Sequence, residues 1–451
     1  MKTAVLIDRD VESRTYLADL LRKQGWDVWE TDDGEIGTGL ALEHEAELIL
    51  CDLQVPRWNG FRVARHFASL EQQPGRHCRV VVTTSSSYAS DRIAALDCGA
   101  DGYLVKPIHL KDVAVFFQAI PPRVSNWLPP GKEPISFDTG VRTRKSTTME
   151  NPQNILTVLR FWGVRGSIPT PGPDTLEYGG NTACVELRVG EEIIIFDAGT
   201  GIRKCGAQLA SEFGTKPIKC TLLVSHTHWD HIQGFPFFQP VYGPQNKVRI
   251  IGPEGSSEGL ARTFAAQMES PYFPVGFKQL PGHIFIEELN DLNFRLGSVD
   301  IRAEFLNHPG GCLGYRVHTP HGIVAYLPDN EPFQRYKYLS HKPSQETIDY
   351  SREQDEKLEK YIHGVDLLII DCQYDSIEYH NRIGWGHGCL DDIIAMAIRA
   401  RVKRVCLFHH DPDHDDAKIN EMVDWARKFV ATLGEDLIVD AAREGQEYIL
   451  G

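Results

Sequence analysis

No apolar run in this chain approaches the roughly 20 consecutive residues that a membrane-spanning helix needs. Paired cysteine spacings are missing too: the ten cysteines are scattered from Cys51 to Cys406, unlike a zinc ribbon or a secreted disulfide scaffold. Basic residues are the minority, 47 Lys plus Arg against 62 Asp plus Glu for a net charge of -15. That balance argues against a surface that holds long nucleic acid by neutralising phosphates. From Met1 the chain reaches Asp8 after one short apolar stretch, too brief for a secretory signal. These absences predict a cytoplasmic protein with reduced thiols, no membrane partner and a small or diffusible substrate. What is present is size: 451 residues with 42% hydrophobic content are enough for two or three cores, so more than one domain is expected.

From residue 3 to about 120, short apolar or β-branched runs alternate with helix-like stretches, the α/β pattern of a doubly wound parallel sheet. Strands are expected at Thr3–Ile7, Asp27–Thr31, Leu48–Cys51, Arg79–Thr83 and Gly102–Val105, with helices such as Glu12–Lys23 and Asp91–Asp97 between them. Residues 121–155 break the alternation with Pro121, Pro122, Pro129, Pro130 and Pro134 and a basic run at Arg142, Arg144 and Lys145, a linker by composition. Residues 156–451 then read as strands and Gly-rich turns. Within them, Gln334–His363 is charged and poorly apolar, and its Glu353–Glu359 stretch reads as a solvent-facing helix in an insertion.

In an open parallel sheet, ligands gather at the carboxyl ends of the strands. Asp8, Asp52, Thr84 and Lys106 fall at such ends. An acid pair can hold Mg²⁺, a hydroxyl can bond a phosphoryl oxygen and an ammonium can pair with its charge, which marks Asp52 as a phosphoacceptor. Residues 3 to about 120 resemble the receiver domain of response regulators. The resemblance rests on Asp8, the run Asp52-Leu53-Gln54-Val55-Pro56 with Gly60, Thr84, the run Gly99 to Tyr103, and Lys106-Pro107. It implies phosphotransfer from a histidine kinase to Asp52 and a cis Lys106–Pro107 bond. One departure stands out: receivers carry two adjacent acids after the first strand, whereas here Asp8 is followed by Arg9, with the next acid at Asp10. Arg9 in the metal-facing position could displace Mg²⁺ or pin Asp52 in a salt bridge, leaving a degenerate receiver kept for docking or homodimerisation.

The second domain carries His226-Thr227-His228-Trp229-Asp230-His231 directly after the apolar run Thr221–Val224. Three histidines and an aspartate within six positions are hard to reach by accident with 18 histidines among 451 residues. His226 and His228 can point one way to one metal, while Asp230 and His231, one turn on, can reach a second. Further ligands are sought where other apolar runs end: His308, Asp329 and His409. Each taken singly is a weak signal.

Together these residues resemble the metallo-β-lactamase superfamily from about Leu159 to Ile449, through the run Ser225 to His231 and the acidic turn Asp197-Ala198-Gly199-Thr200-Gly201. The whole chain is then expected to be a receiver-type five-stranded sheet followed by an αββα sandwich. The resemblance implies one metal on His226, His228 and His308, another on Asp230, His231 and His409, and a bridge at Asp329, with Asp197 orienting the ligand loop. His409 is preferred over His410 because it directly follows the strand; His410 is read as a supporting imidazole. A bridging aspartate resembles the phosphodiesterase-like branch, which includes tRNase Z and class II cyclic-nucleotide phosphodiesterases. Gly384-Trp385-Gly386-His387 looks like that branch too, with His387 as a substrate-facing acid.

The implied cofactors are two divalent ions, Zn²⁺ first and Mn²⁺ or Fe²⁺ as alternatives, about 3.5–4 Å apart and sharing a hydroxide. Asp230 and His387 are the expected catalytic residues and a small phosphodiester the expected substrate, with hydrolysis modestly regulated by the state of Asp52. Three competing readings are a thioester or lactone hydrolase on the same metals, an oxygen-reducing diiron protein, and a non-catalytic signalling scaffold. tRNA processing fits the acidic charge poorly. The aromatics Tyr178, Trp229, Phe235, Phe237, Phe238, Tyr272 and Phe273 are read either as a wall beside the metals or as core.

Overall fold

The computed structural model describes residues 2–70, 78–117, 156–253, 259–270, 272–289, 291–338 and 343–451. The Pro-rich segment 121–155, with its basic run, lies outside them. Strands β1 (Thr3–Ile7), β2 (Asp27–Thr31), β3 (Leu48–Asp52), β4 (Arg79–Thr84) and β5 (Gly102–Val105) form one parallel sheet in the order β2-β1-β3-β4-β5. Helices cover both faces of this sheet, so β1, β3 and β4 read as unbroken apolar runs. Val5, Ile7, Ile49, Cys51, Val80 and Val82 pack into one core layer, and Ala4, Leu6, Leu48, Leu50 and Val81 into the other. Strands β3 and β4 each run one residue further than their apolar patterns, taking in Asp52 and Thr84. The Lys106–Pro107 bond is cis.

The first helix, Val11–Lys23, starts at Asp10, whose carboxylate accepts from the N–H groups of Glu12 and Ser13 at 3.0 Å each. The Asp10 carboxylate is therefore engaged in a helix cap, and its other oxygen pairs with Lys357 of the second domain. The Asp10 N–H donates to Asp8 Oδ1 at 2.9 Å, and both acids line the cavity over Asp52.

The second domain comprises β6 (Thr157–Gly163), β7 (Cys184–Val189), β8 (Glu192–Phe196), β9 (Lys219–Leu223), β10 (Lys247–Gly252), β11 (His283–Glu288), β12 (Asn293–Leu296), β13 (Val299–Phe305), β14 (Leu313–Thr319), β15 (Gly322–Leu327), β16 (Leu367–Asp371), β17 (Arg404–Phe408), β18 (Ile438–Ala441) and β19 (Glu447–Leu450). They form two seven-stranded mixed sheets, β11-β10-β9-β8-β7-β6-β19 and β12-β13-β14-β15-β16-β17-β18. The period of two decides which layer each side chain enters. Ile194, Phe196 and Leu223 of the first sheet meet Val324, Tyr326, Leu367 and Ile369 of the second in a shared core. Their neighbours Ile193, Ile195 and Leu222 face an outer layer built on helix Ile202–Phe213. On the far side Ala325, Leu327, Leu368 and Ile370 face helices Leu390–Arg399 and Asp416–Leu433. The domain is an αββα sandwich.

The charged segment near residue 350 is a longer helix than its sequence suggests, Gln345–Ile362, and is not wholly solvent-facing. Ser351, Asp355, Leu358 and Ile362 form one buried stripe at helical spacing, with Leu358 and Ile362 in the outer core. The two polar members of that stripe hide it from a hydropathy reading.

The receiver docks on the second domain through the carboxyl ends of its own strands. Arg9 pairs with Glu304, Asp10 with Lys357, and Arg62 Nη1 lies 3.4 Å from Glu288 Oε2. Asp91, in helix Ala89–Asp97, accepts from the N–H of Gly310 at 2.9 Å.

Candidate functional site

Strands β8 and β9 run parallel to each other in one sheet and β15, β16 and β17 to one another in the second, where β13 shares the direction of β15 through two antiparallel pairings. Their carboxyl ends therefore lie along one edge of the sandwich, where loops build sites. Asp197 follows β8 and the 226–231 loop follows β9, while His308, Asp329 and His409 follow β13, β15 and β17, and Asp371 closes β16.

These loops bring the seven side chains singled out in the sequence into one cluster. His226 Nε2 and His308 Nε2 lie 2.9 and 3.0 Å from His228 Nδ1 and 3.7 and 3.4 Å from Asp329 Oδ2. Beside them, His231 Nε2 and His409 Nε2 lie 3.3 and 3.1 Å from Asp230 Oδ2 and 3.1 and 3.4 Å from Asp329 Oδ1. The two oxygens of Asp329 thus face two separate trios. Six of the seven are buried, and His228 stands at the open edge.

The arrangement fits a pair of cations. Ring nitrogens that approach one another this closely converge on common points, as lone pairs do around a metal. Burial, reinforced by neighbouring imidazoles, holds His226 and His308 well below the usual imidazole range, so both keep a free lone pair. Asp329 Oδ1 and His409 Nδ1 are buried without a hydrogen-bond partner. Two glycines make the close approach possible. A Cβ on Gly166 would sit 2.4 Å from the His409 ring, and one on Gly386, at φ +89°, would sit 2.6 Å from His308 Nδ1.

Around this cluster, Asp197 accepts from Ser225 N (2.7 Å), Ser225 Oγ (2.8 Å) and the Tyr326 hydroxyl (2.7 Å), and its Oδ2 lies 2.8 Å from His231 Nδ1. It orients both the start of the ligand loop and the imidazole at its end. His410 points away, with Nε2 3.0 Å from the Ala442 carbonyl, and burial beside Arg165 pushes its pKa down to about 3. The adjacent pair is thereby separated by geometry: His409 turns into the cluster and His410 into the scaffold.

His387 stacks on His409 with ring centroids 5.0 Å apart, and its Nδ1 lies 3.0 Å from Asp371 Oδ2. Burial pulls its pKa down, but the charge and hydrogen bond of Asp371, with Asp329 and Asp230 behind, raise it to about 9. Asp371 also accepts from the N–H groups of Asn330 and Gly388. Sequence reasoning missed Asp371, although an acid closing the run Leu367–Ile370 is the same signal that marked Asp52. Of the aromatic residues, Phe235 and Phe238 belong to the outer core and Tyr178 packs edge-on against His410. Trp229, Phe237 and Tyr272 are exposed, and Phe273 packs edge-on against Phe237.

In the receiver, Lys106 Nζ bonds Asp52 and lies 2.7 Å from Asp8 Oδ2, which also accepts from Ser13 Oγ at 2.7 Å. Thr84 Oγ1 accepts from Ser86 N at 2.9 Å. Arg9 does not pin Asp52: its guanidinium turns to Glu304 and lies over the Phe305 ring. A cavity of about 410 Å³ opens over this pocket, lined by Asp52 and Lys106 on one side and by Asn330 and Tyr350 on the other.

Comparison with known proteins agrees with this division. Residues 4–116 match the response regulator receiver domain family, and residues 193–410 match the Beta-lactamase superfamily domain. The chain is a receiver domain fused to a domain of the metallo-β-lactamase fold. Response regulator ArlR of Staphylococcus aureus (strain MW2) is 31% identical over 119 residues, 26% of this chain and 52% of that protein. The chain spans about half the length of the curated relatives it matches. Among solved structures, the metallo-β-lactamase fold protein YhfI from Bacillus subtilis is 15% identical, covering 66% of this chain and 100% of its own, at a TM-score of 0.45. A diphosphatase from the PhnP family is 17% identical over 65% of this chain and 97% of its own, at a TM-score of 0.44. Among the described residues, no helix is long and apolar enough to cross a membrane.

Proposed function

We propose that the second domain is a dinuclear metal-dependent hydrolase of small phosphodiesters, and that the receiver accepts a phosphoryl group from a histidine kinase at Asp52. One observation carries the first part: Asp329 presents each carboxylate oxygen to a different trio of ligands. His226, His228 and His308 would hold one ion, Asp230, His231 and His409 the other, with Zn²⁺ the expected metal. When bound, such a pair acidifies a water and holds phosphoryl oxygens as charge builds on them.

The chain's own groups supply the rest. Asp371 holds the His387 ring through Nδ1, which leaves Nε2 to carry the proton that a departing alkoxide takes up. Asp230, fixed by Ser167 N at 2.7 Å, keeps its Oδ2 turned toward His231 and His409. Metal-loaded full-length protein offered bis(p-nitrophenyl) phosphate, a thioester and a lactone in parallel should hydrolyse the phosphodiester fastest. Faster opening of either acyl bond would replace this reading with the acyl-hydrolase one. Treatment with a chelator should remove the activity and Zn²⁺ should restore it.

Crowding at Gly166 gives a separate expectation. In Gly166→Ala the new methyl must displace the His409 ring, so metal content by elemental analysis should fall relative to the parent chain. Overpacking of this kind costs about 1–3 kcal/mol, readable as a lower unfolding midpoint. Parental metal content in this variant would remove His409 from the ligand set.

A further inference from the structure

The receiver reaches into the loops that carry the proposed ligands. Glu331, fully buried and two residues beyond Asp329, accepts from the N–H groups of Gly384 (2.8 Å) and Gly386 (2.9 Å) and from the Tyr379 hydroxyl. The Gly386 carbonyl in turn lies 2.8 Å from His308 Nδ1, and Gly386 directly precedes His387. On its other side, Glu331 N donates to the Asn307 carbonyl at 2.9 Å, and Asn307 Nδ2 donates to the Glu331 carbonyl at 2.6 Å. Through its carboxylate and its backbone together, Glu331 therefore ties the loops bearing Asp329, His308 and His387.

Further contacts of this knot come from the other domain. The hydroxyl of Tyr88, a buried receiver residue, sits 3.2 Å from both Glu331 Oε2 and the Asn307 carbonyl, where its one proton can serve either. Three residues on, buried Asp91 accepts from Gly310 N at 2.9 Å, holding the turn that follows His308. Asp91 is itself held by Ser86 Oγ at 2.5 Å, and Ser86 N donates to Thr84 Oγ1. A short chain of hydrogen bonds thus runs from the phosphoacceptor pocket to the His308 loop.

We propose that Tyr88 and Asp91 of the receiver are positioning residues for the metal centre of the second domain, so that the centre is fully formed only while the receiver is docked. The inference rests on the proposed dinuclear site. Partners that orient ligands are worth about 10- to 100-fold in metal affinity or activity when removed. Here the two partners belong to a domain that neither supplies a ligand nor lies next to one in sequence.

The test uses the full chain with Tyr88→Phe, which removes one oxygen and keeps the ring, Asp91→Asn, and Ile93→Ala as a control on the solvent side of the same helix. Co²⁺-loaded proteins would be compared by visible absorption, and metal affinity by competition with a chromophoric chelator. Tyr88→Phe and Asp91→Asn should shift the Co²⁺ bands and weaken metal retention about 10-fold, and Ile93→Ala should do neither. Turnover of bis(p-nitrophenyl) phosphate is measured alongside. Parental spectra and affinity in both variants would overturn the proposal even if the parent is an active phosphodiesterase. A spectral shift in a chain that never cleaves the phosphodiester would instead retire the substrate assignment and leave the positioning role standing.

Discussion

His228→Ala and Asp230→Ala, each made in the full metal-loaded chain, should lower hydrolysis of bis(p-nitrophenyl) phosphate at least ~1000-fold, about 4 kcal/mol of lost transition-state stabilisation. The two substitutions reach the same outcome by different routes. His228 lies at the open edge of the cluster with its backbone in a loop, so removing its ring takes away one proposed ligand and little packing. Its unfolding midpoint without metal should stay within about 0.5 kcal/mol of the parent. Asp230 is buried, and its Oδ2 accepts from Ser167 N, so truncation also strands a donor, at a cost of about 1–3 kcal/mol. Activity loss in both with stability loss in only one assigns the effect to the ion positions. Unchanged turnover in both would refute the hydrolase reading.

The residues legible in the sequence share a property: their signal is local. The strands of the receiver announce themselves because both faces are covered, and His226 to His231 lie within one loop and one turn. Asp329 and His409 could be sought because an apolar run ends just before each. What escaped is chemistry whose partner is remote. Asp371 gains its role from His387, across the mouth of a different loop. Glu331 gains its role from Tyr88, 243 positions away in the chain and in another domain. An isolated glutamate and an isolated tyrosine carry no periodicity that would link them. Asp10 shows the converse case, in which one residue type serves two local purposes. An aspartate just before a helix is a cap by propensity and a site acid by family pattern, and Asp10 caps its helix while lining the cavity beside Asp8. Arg9 is similar: its charge predicts a partner, but Glu304 is presented by the second domain, which the sequence of the receiver cannot anticipate.

In the receiver pocket, Asp52→Asn should abolish labelling by acetyl phosphate while leaving the fold intact, and Lys106→Met should abolish labelling and destabilise the domain. The asymmetry follows from charge. Lys106 is buried between two buried carboxylates, at 2.7 Å from Asp8 and bonded to Asp52, so the trio carries a net charge of minus one at the floor of the cavity. Burial and the Asp52 charge push the Asp8 carboxyl above its ordinary range, while the two carboxylates hold the Lys106 ammonium well above its own. Asparagine at position 52 leaves a neutral Asp8–Lys106 pair, and the unfolding midpoint should hold or rise. Methionine at position 106 leaves two like charges uncompensated, a change that costs about 3–5 kcal/mol. Acetyl phosphate is the suitable donor because the cavity above Asp52, roofed by Asn330 and Tyr350 of the second domain, admits a small acyl phosphate while the domains remain docked. Attack of the Asp52 carboxylate on phosphorus would release acetate and leave an acid-labile label. Equal labelling of the parent and Asp52→Asn would move the phosphoacceptor elsewhere. A Lys106→Met chain as stable as the parent would show that water, not the ammonium, balances the two acids.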